Sequence, residues 1–217
     1  MEKLANKIAN KISAELNFDD EKRQVINYGI FGLIQLIVAA FFILVLGIIF
    51  GIAIEVLVMS ITVILLRKYS GGAHVNSAEI CTLISVIVCT IFPLVVKSLL
   101  LSLINIYILA ILIVVVFILS FYAIYKLAPV DSPNKPIKTE KKKARMRKGS
   151  FITLSLFLLI SIVLLIFGGG NKILYGYCLC ILFAVSWQIL TLTKFGASAF
   201  NIVDTILNKV SMLKEVK

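Results

Sequence analysis

Apolar residues run through this chain in long blocks separated by short polar breaks, not in strict alternation. From Gln24 to Leu66 only Glu55 carries charge. A bilayer core takes about 20 helical residues to cross, so this stretch is too long for one span and suits two. Gly47 and Gly51 mark the expected turn, which puts Glu55 near the outer end of the second span. Ile80 to Val96 makes a third block, ending around Pro93 and Lys97. Ser98 to Tyr125 makes a fourth, long enough to tilt. Phe151 to Phe167 and Ile173 to Thr193 are the fifth and sixth, joined by Gly168-Gly-Gly-Asn171 in an expected tight hairpin.

The ends follow a different period. Leu4, Ile8, Ile12 and Leu16 recur every four residues, flanked by Lys3, Lys7 and Lys11. Residues 1–23 therefore read as an amphipathic helix lying on an anionic membrane surface, its lysines reaching the headgroups. A soluble helical tail is the plainer alternative. Residues 195–217 repeat the pattern with Phe200, Val203, Ile206, Leu207, Val210 and Leu213. Residues 126–149 break the apolar pattern with Pro129, Pro133, Pro136 and a dense basic run, as a loop would. The expected fold is all-α: a polytopic membrane protein with six transmembrane helices and amphipathic helices at both termini. Residues 1–217 make a single integral membrane domain, with no soluble domain and no cleaved signal peptide expected.

Composition agrees and then adds orientation. Hydrophobic residues make up 60% of the chain and charged residues 15%, and the mean hydropathy is +1.05, outside the soluble range. A formal charge of +11 invites a nucleic-acid reading only until the charges are located. With a cytoplasmic N-terminus, all of the 22 lysines and arginines except Lys97 and Lys172 fall on one side. That asymmetry predicts a multi-pass cell-membrane protein with both termini and the 126–149 loop in the cytoplasm, and no nucleic-acid partner. The loop carries Lys126, Lys135, Lys138, Lys141, Lys142, Lys143, Arg145, Arg147 and Lys148, a cluster suited to anionic lipid. Cys81, Cys89, Cys178 and Cys180 lack zinc spacing, and with one histidine in the chain no metal site is expected. The last three cysteines read as small packing residues.

The candidate chemistry lies in Arg67-Lys-Tyr-Ser-Gly-Gly-Ala-His74-Val-Asn-Ser-Ala-Glu-Ile-Cys81. It holds the only histidine, seven residues before a cysteine. Imidazole can take a thiol proton and leave a thiolate able to attack a carbonyl. A histidine at a membrane boundary also serves as a plain interfacial residue, and a cysteine as packing. On one straight helix the pair would stand about 10.5 Å apart along the axis, too far for proton transfer. Gly71-Gly72 loosens the approach, and Asn76-Ser-Ala-Glu79 reads as a helix start. His74 would then sit on a bend that returns toward Cys81, in the second helical turn, where the helix dipole favours thiolate. The spacing works only if the loop bends.

These residues resemble the accessory gene regulator B (AgrB) family, membrane cysteine endopeptidases of peptide quorum sensing. The likeness is carried by Arg67, Gly71-Gly72-Ala-His74, Cys81 at the family's spacing, and the loop Ala128-Pro-Val-Asp-Ser-Pro-Asn-Lys-Pro136. By resemblance, His74 and Cys81 take the catalytic positions, while Arg67 and Gly72 match positions needed for activity. Arg67 could hold an acidic substrate group or help stabilise an oxyanion. The resemblance further implies a peptide precursor with an amphipathic leader and an acidic tail, which the basic cluster including Lys141, Lys142 and Lys143 would dock. It also implies a homodimer and no cofactor, while the Lys/Arg asymmetry puts the His74 to Cys81 segment on the cytoplasmic side. Cleavage would pass through a thioester on Cys81 and end in a thiolactone or lactone. The competing expectation is a non-enzymatic transporter or peptide exporter. Gln35, Asn105 and Glu55 are too few to line an obvious polar pathway for it.

Overall fold

The computed structural model describes residues 1–73, 77–130 and 139–215, apart from the side chains of Ala78, Asp204 and 206–215. The described chain is helical, as expected. In order the helices are α1 (Glu2–Glu15), α2 (Asp20–Ile49), α3 (Ala53–Ser70), α4 (Ala78–Val95), the single turn α5 (Leu101–Leu103), α6 (Ile106–Leu127), α7 (Glu140–Gly168), α8 (Lys172–Leu192) and α9 (Lys194–Glu215). A π-turn, Val96–Leu100, joins α4 to α5. Lipid offers no partners to backbone amides, so a helix that bonds internally is the form these apolar blocks must take.

Among the described residues five helical stretches are long and apolar enough to cross a membrane: Asp20–Ile49, Glu79–Leu103, Ile106–Leu127, Glu140–Gly168 and Lys172–Leu192. The protein is thus polytopic and all-α. The sixth expected span, α3, has 18 residues and carries Glu55, Arg67 and Lys68 within them. Its charges sit in the first and last turns, leaving Val56 to Leu66 apolar or hydroxylic. α3 is nonetheless built into the bundle, packed against α2, α4, α7 and α8. Val56, Met59, Thr62, Leu66 and Ser70 are almost wholly buried along it. Helices in lipid associate through close packing of small residues, not through exclusion of water. α8 supplies these in Gly176, Cys178, Cys180 and Ala184, all buried. Buried hydroxyls bond back to their own helices, Ser60 to the Val56 carbonyl at 2.6 Å and Ser161 to that of Phe157 at 2.8 Å.

Three boundaries differ from the sequence pattern. The stretch Ser98–Leu103 belongs to the continuation of α4 and not to the following span, because α4 runs past Pro93 through the π-turn. α6 starts only after Asn105, whose side chain caps it by accepting from the Ile108 amide at 2.9 Å. The basic segment 126–149 is not all loop either. Residues 140–149 are the first turns of α7, since Lys, Arg, Ala, Met and Glu are good helix formers; residues 131–138 lie outside the described part. Finally, α1 folds back on α2 through Ala5, Ala9 and Ser13. Leu4, Ile8 and Leu16 stay exposed, so the apolar stripe is not spent on the α2 contact.

Successive long helices alternate in direction. The starts of α2, α4 and α7 and the ends of α3, α6 and α8 gather at one end, where Ala73 bonds Thr191 and Ser70 bonds Val130. At the other end Lys97 Nζ donates to the Gly51 carbonyl at 2.6 Å, and Lys172 Nζ to that of Ile104 at 2.6 Å.

Candidate active site

Cys81 is the fourth residue of α4, and its amide makes the helix's first internal bond, to the Ser77 carbonyl at 3.0 Å. The helix therefore begins at Ala78, with extended Ser77 before it, which sets Cys81 at the end of the first turn and not in the second. There it stands beside the amides that the first turn of a helix leaves without intrahelical partners. The side chain is half-buried, and none of the four cysteines forms a disulfide. Cys81 lines a cleft of about 460 Å³ between α2, α3 and α4, with Gln35, Ile43, Val63, Arg67, Ser85 and Cys89 among its walls. A nucleophile at the mouth of a mostly apolar cleft can meet a peptide carbonyl while water is restricted.

His74 and Asn76 lie outside the described residues, so the approach to His74 must be read from what precedes it. That approach is fixed at each step. Ser70 ends α3 wholly buried, its hydroxyl donating to the Leu66 carbonyl at 2.9 Å. Its own carbonyl accepts from the Val130 amide at 2.9 Å, and Gly71 pairs with Val130 in an isolated parallel bridge. The Gly71 carbonyl accepts from Gln188 Nε2 at 2.7 Å, and the same nitrogen donates to Ser70 Oγ at 3.0 Å. The Ala73 amide donates to the Thr191 carbonyl at 2.9 Å. Arg67 Nη2 donates to the Ala73 carbonyl at 2.8 Å.

Both glycines are required by this arrangement. Gly71 has φ +70°, and a Cβ there would run into the Val130 carbonyl oxygen. Gly72 has φ +141°, and a Cβ would stand 2.7 Å from Thr191 Oγ1 and 3.4 Å from Gln188 Nε2. Only glycine combines a positive φ with so close an approach.

The structure thus brings Arg67, Gly72 and Cys81 to one end of the bundle and gives two of them definite backbone roles. Ser70, near His74 in sequence, is engaged by Leu66 and Gln188. Lys141, Lys142 and Lys143 are exposed at the start of α7 at that same end, Lys143 pairing with Glu140 at 3.1 Å. They do not line the Cys81 cleft: α7 packs on α3, α6 and α8, so α3 stands between. Sequence reasoning missed Gln188, Thr191 and Val130. A glutamine inside an apolar block was the available signal, since polar side chains at membrane depth are expensive. Trp187, one residue before Gln188, packs edge-on against Phe200 at 6.3 Å and near Phe92 at 6.5 Å between ring centres.

The model of the accessory gene regulator B family matches residues 5–192 of the chain. AgrB-like protein 2 of Clostridium perfringens strain 13 is 39% identical over 212 residues, covering 97% of this chain and 99% of the relative. An AgrB-like protein of Clostridium perfringens strain SM101 is likewise 39% identical, with the same coverage. No solved structure matches significantly. Family and fold agree, and the chain belongs to the accessory gene regulator B family, membrane proteins involved in processing quorum-sensing peptides.

Proposed function

We propose that this protein is a membrane cysteine endopeptidase that cuts the C-terminal part from a signal-peptide precursor and closes the remainder into a ring. The observation that carries this reading is the position of Cys81, in the first turn of α4 at the mouth of an apolar cleft. The backbone leading to His74 is held rigidly nearby. His74 takes the Cys81 proton, and the thiolate attacks the scissile carbonyl carbon. The tetrahedral oxyanion collapses, the C–N bond breaks, and the leaving amine takes the proton from the imidazolium. The N-terminal part of the precursor stays on Cys81 as a thioester. A thiol or hydroxyl within that tethered peptide then attacks the thioester carbonyl, favoured by its high effective concentration. Cys81 is released, and the product is a thiolactone or lactone.

The charge pattern supports a cytoplasmic site. If α3 crosses with the five other helices, both termini share the side of Cys81 and of all but two basic residues. In this reading the exposed Lys141, Lys142 and Lys143 receive the acidic tail of a precursor. The rest of that basic surface, and the exposed stripe of α1, suit anionic lipid. The active form is a homodimer in this reading, as in the family at large. The test is co-expression of the protein with a precursor carrying an internal Cys or Ser, and mass spectrometry of the released peptide. A product one water lighter than the linear acid, absent with Cys81→Ala, is expected. A linear acid, with no conjugate on Cys81, would reduce the protein to a simple endopeptidase. Unchanged cleavage by Cys81→Ala would refute the mechanism.

A further inference from the structure

The backbone that leads into His74 is gripped by the last membrane helix, α8, which packs directly on α3. Gln188 is buried to 1% exposure in α8. Its amide nitrogen bridges 117 residues of sequence to Gly71 and 118 to Ser70. The orientation of the amide is fixed, because the Gly71 carbonyl can only accept and so must face the NH₂ group. Ser70 gives its one hydroxyl proton to Leu66 and receives Gln188 through a lone pair. One helical turn on, Thr191 takes the Ala73 amide with its carbonyl and anchors its own hydroxyl on the Gln188 carbonyl at 2.7 Å. Gly72 lies between, with no Cβ to hold the two helices apart.

This amide is poorly explained as a packing device. Its Oε1 is buried and has no donor among the described residues, and a buried acceptor without a donor is a net cost that a methionine of similar volume would avoid. Hydroxyls elsewhere in the core, such as Ser60 and Ser161, tie back to their own helices. Gln188 reaches across to another helix, at the backbone three residues before the catalytic histidine of the proposed mechanism.

We propose that Gln188 is a positioning residue: through its bonds to Ser70 and Gly71 it sets the approach to His74 and so the activation of Cys81. The inference rests on the His74–Cys81 reading above, and the test separates the two. In a background lacking Cys89, Cys178 and Cys180, the rate of Cys81 alkylation by iodoacetamide is measured against pH for the parent, His74→Ala and Gln188→Met. Membrane accumulation and detergent melting are followed in parallel, with precursor cleavage in the full chain. Gln188→Met is expected to accumulate and melt like the parent. It should take on the alkylation profile of His74→Ala and lose on the order of 100-fold in cleavage rate, the scale set by misplacement of a catalytic group. If Gln188→Met alkylates as the parent does, Gln188 does not position the site. If it fails to accumulate or melts far lower, the residue is a structural staple and the inference is overturned. If the parent and His74→Ala alkylate alike, the dyad itself is absent and the proposed mechanism falls first.

Discussion

Single side chains near the His74 segment carry unequal weight, and the geometry ranks them. Cys81→Ala and His74→Ala should each abolish processing in co-expression while the protein still accumulates in the membrane. Cys178→Ala and Cys180→Ala remove only packing volume from α8, and their precursor turnover should stay near normal. Gly72→Ala is a harsher change than its one carbon implies. It forces a side chain onto φ +141° and into Thr191 Oγ1, a strain of about 1–3 kcal/mol before the clash is counted. Cleavage should fall by about 100-fold with little change in accumulation, because the strain is local to the approach. Wild-type turnover by Gly72→Ala would show that this backbone is not held as described. The importance of Gly72 was legible only through resemblance, since two adjacent glycines alone show flexibility, not which of them touches a neighbour. Gln188 was harder still: its partners are more than a hundred residues away, and no local pattern encodes such a pairing.

At the level of helices, the apolar blocks were legible because lipid leaves few options for an uncharged run of about 20 residues. The ends of those blocks were not, and each failure has a physical source. The block from Ser98 differs from the helices because Pro93 does not stop α4, which runs on into a π-turn. The basic segment was read as loop because charge counted against a span, although charge does not oppose a helix outside the bilayer. That correction bears on docking. With Lys141, Lys142 and Lys143 on the first turns of α7 and outside the Cys81 cleft, the proposed tail-binding surface is separate from the proposed site of chemistry. Replacing the three lysines by Gln should raise KM for an acid-tailed precursor by on the order of tenfold, from about 0.2–1 kcal/mol per exposed pair. The kcat should hold, and the difference should shrink at high salt. Steady-state cleavage at two salt concentrations decides it, and a loss in kcat alone would place the lysines in the chemistry instead.

For the whole molecule the topology turns on α3, packed against α2, α4, α7 and α8 yet not among the five helical stretches long and apolar enough to cross. Its Glu55, Arg67 and Lys68 sit at its ends, where long cationic side chains reach the interface, so crossing is expected. Single cysteines at Ala144 and Asn171 in a cysteine-free variant should then label from the inside and outside respectively. Labelling of both with the sides exchanged would overturn the orientation and put the Cys81 end of the bundle on the outer side. The fold also imposes an order in time. Cys81 and its cleft come from α2 to α4, while the amide that holds Gly71 belongs to α8, 117 residues later. At about 5–20 residues per second of synthesis, a growing chain carries His74 and Cys81 for on the order of ten seconds before Gln188 exists. In the proposed mechanism, the nascent protein and any fragment released before α8 hold both groups without the Gln188 grip on Gly71.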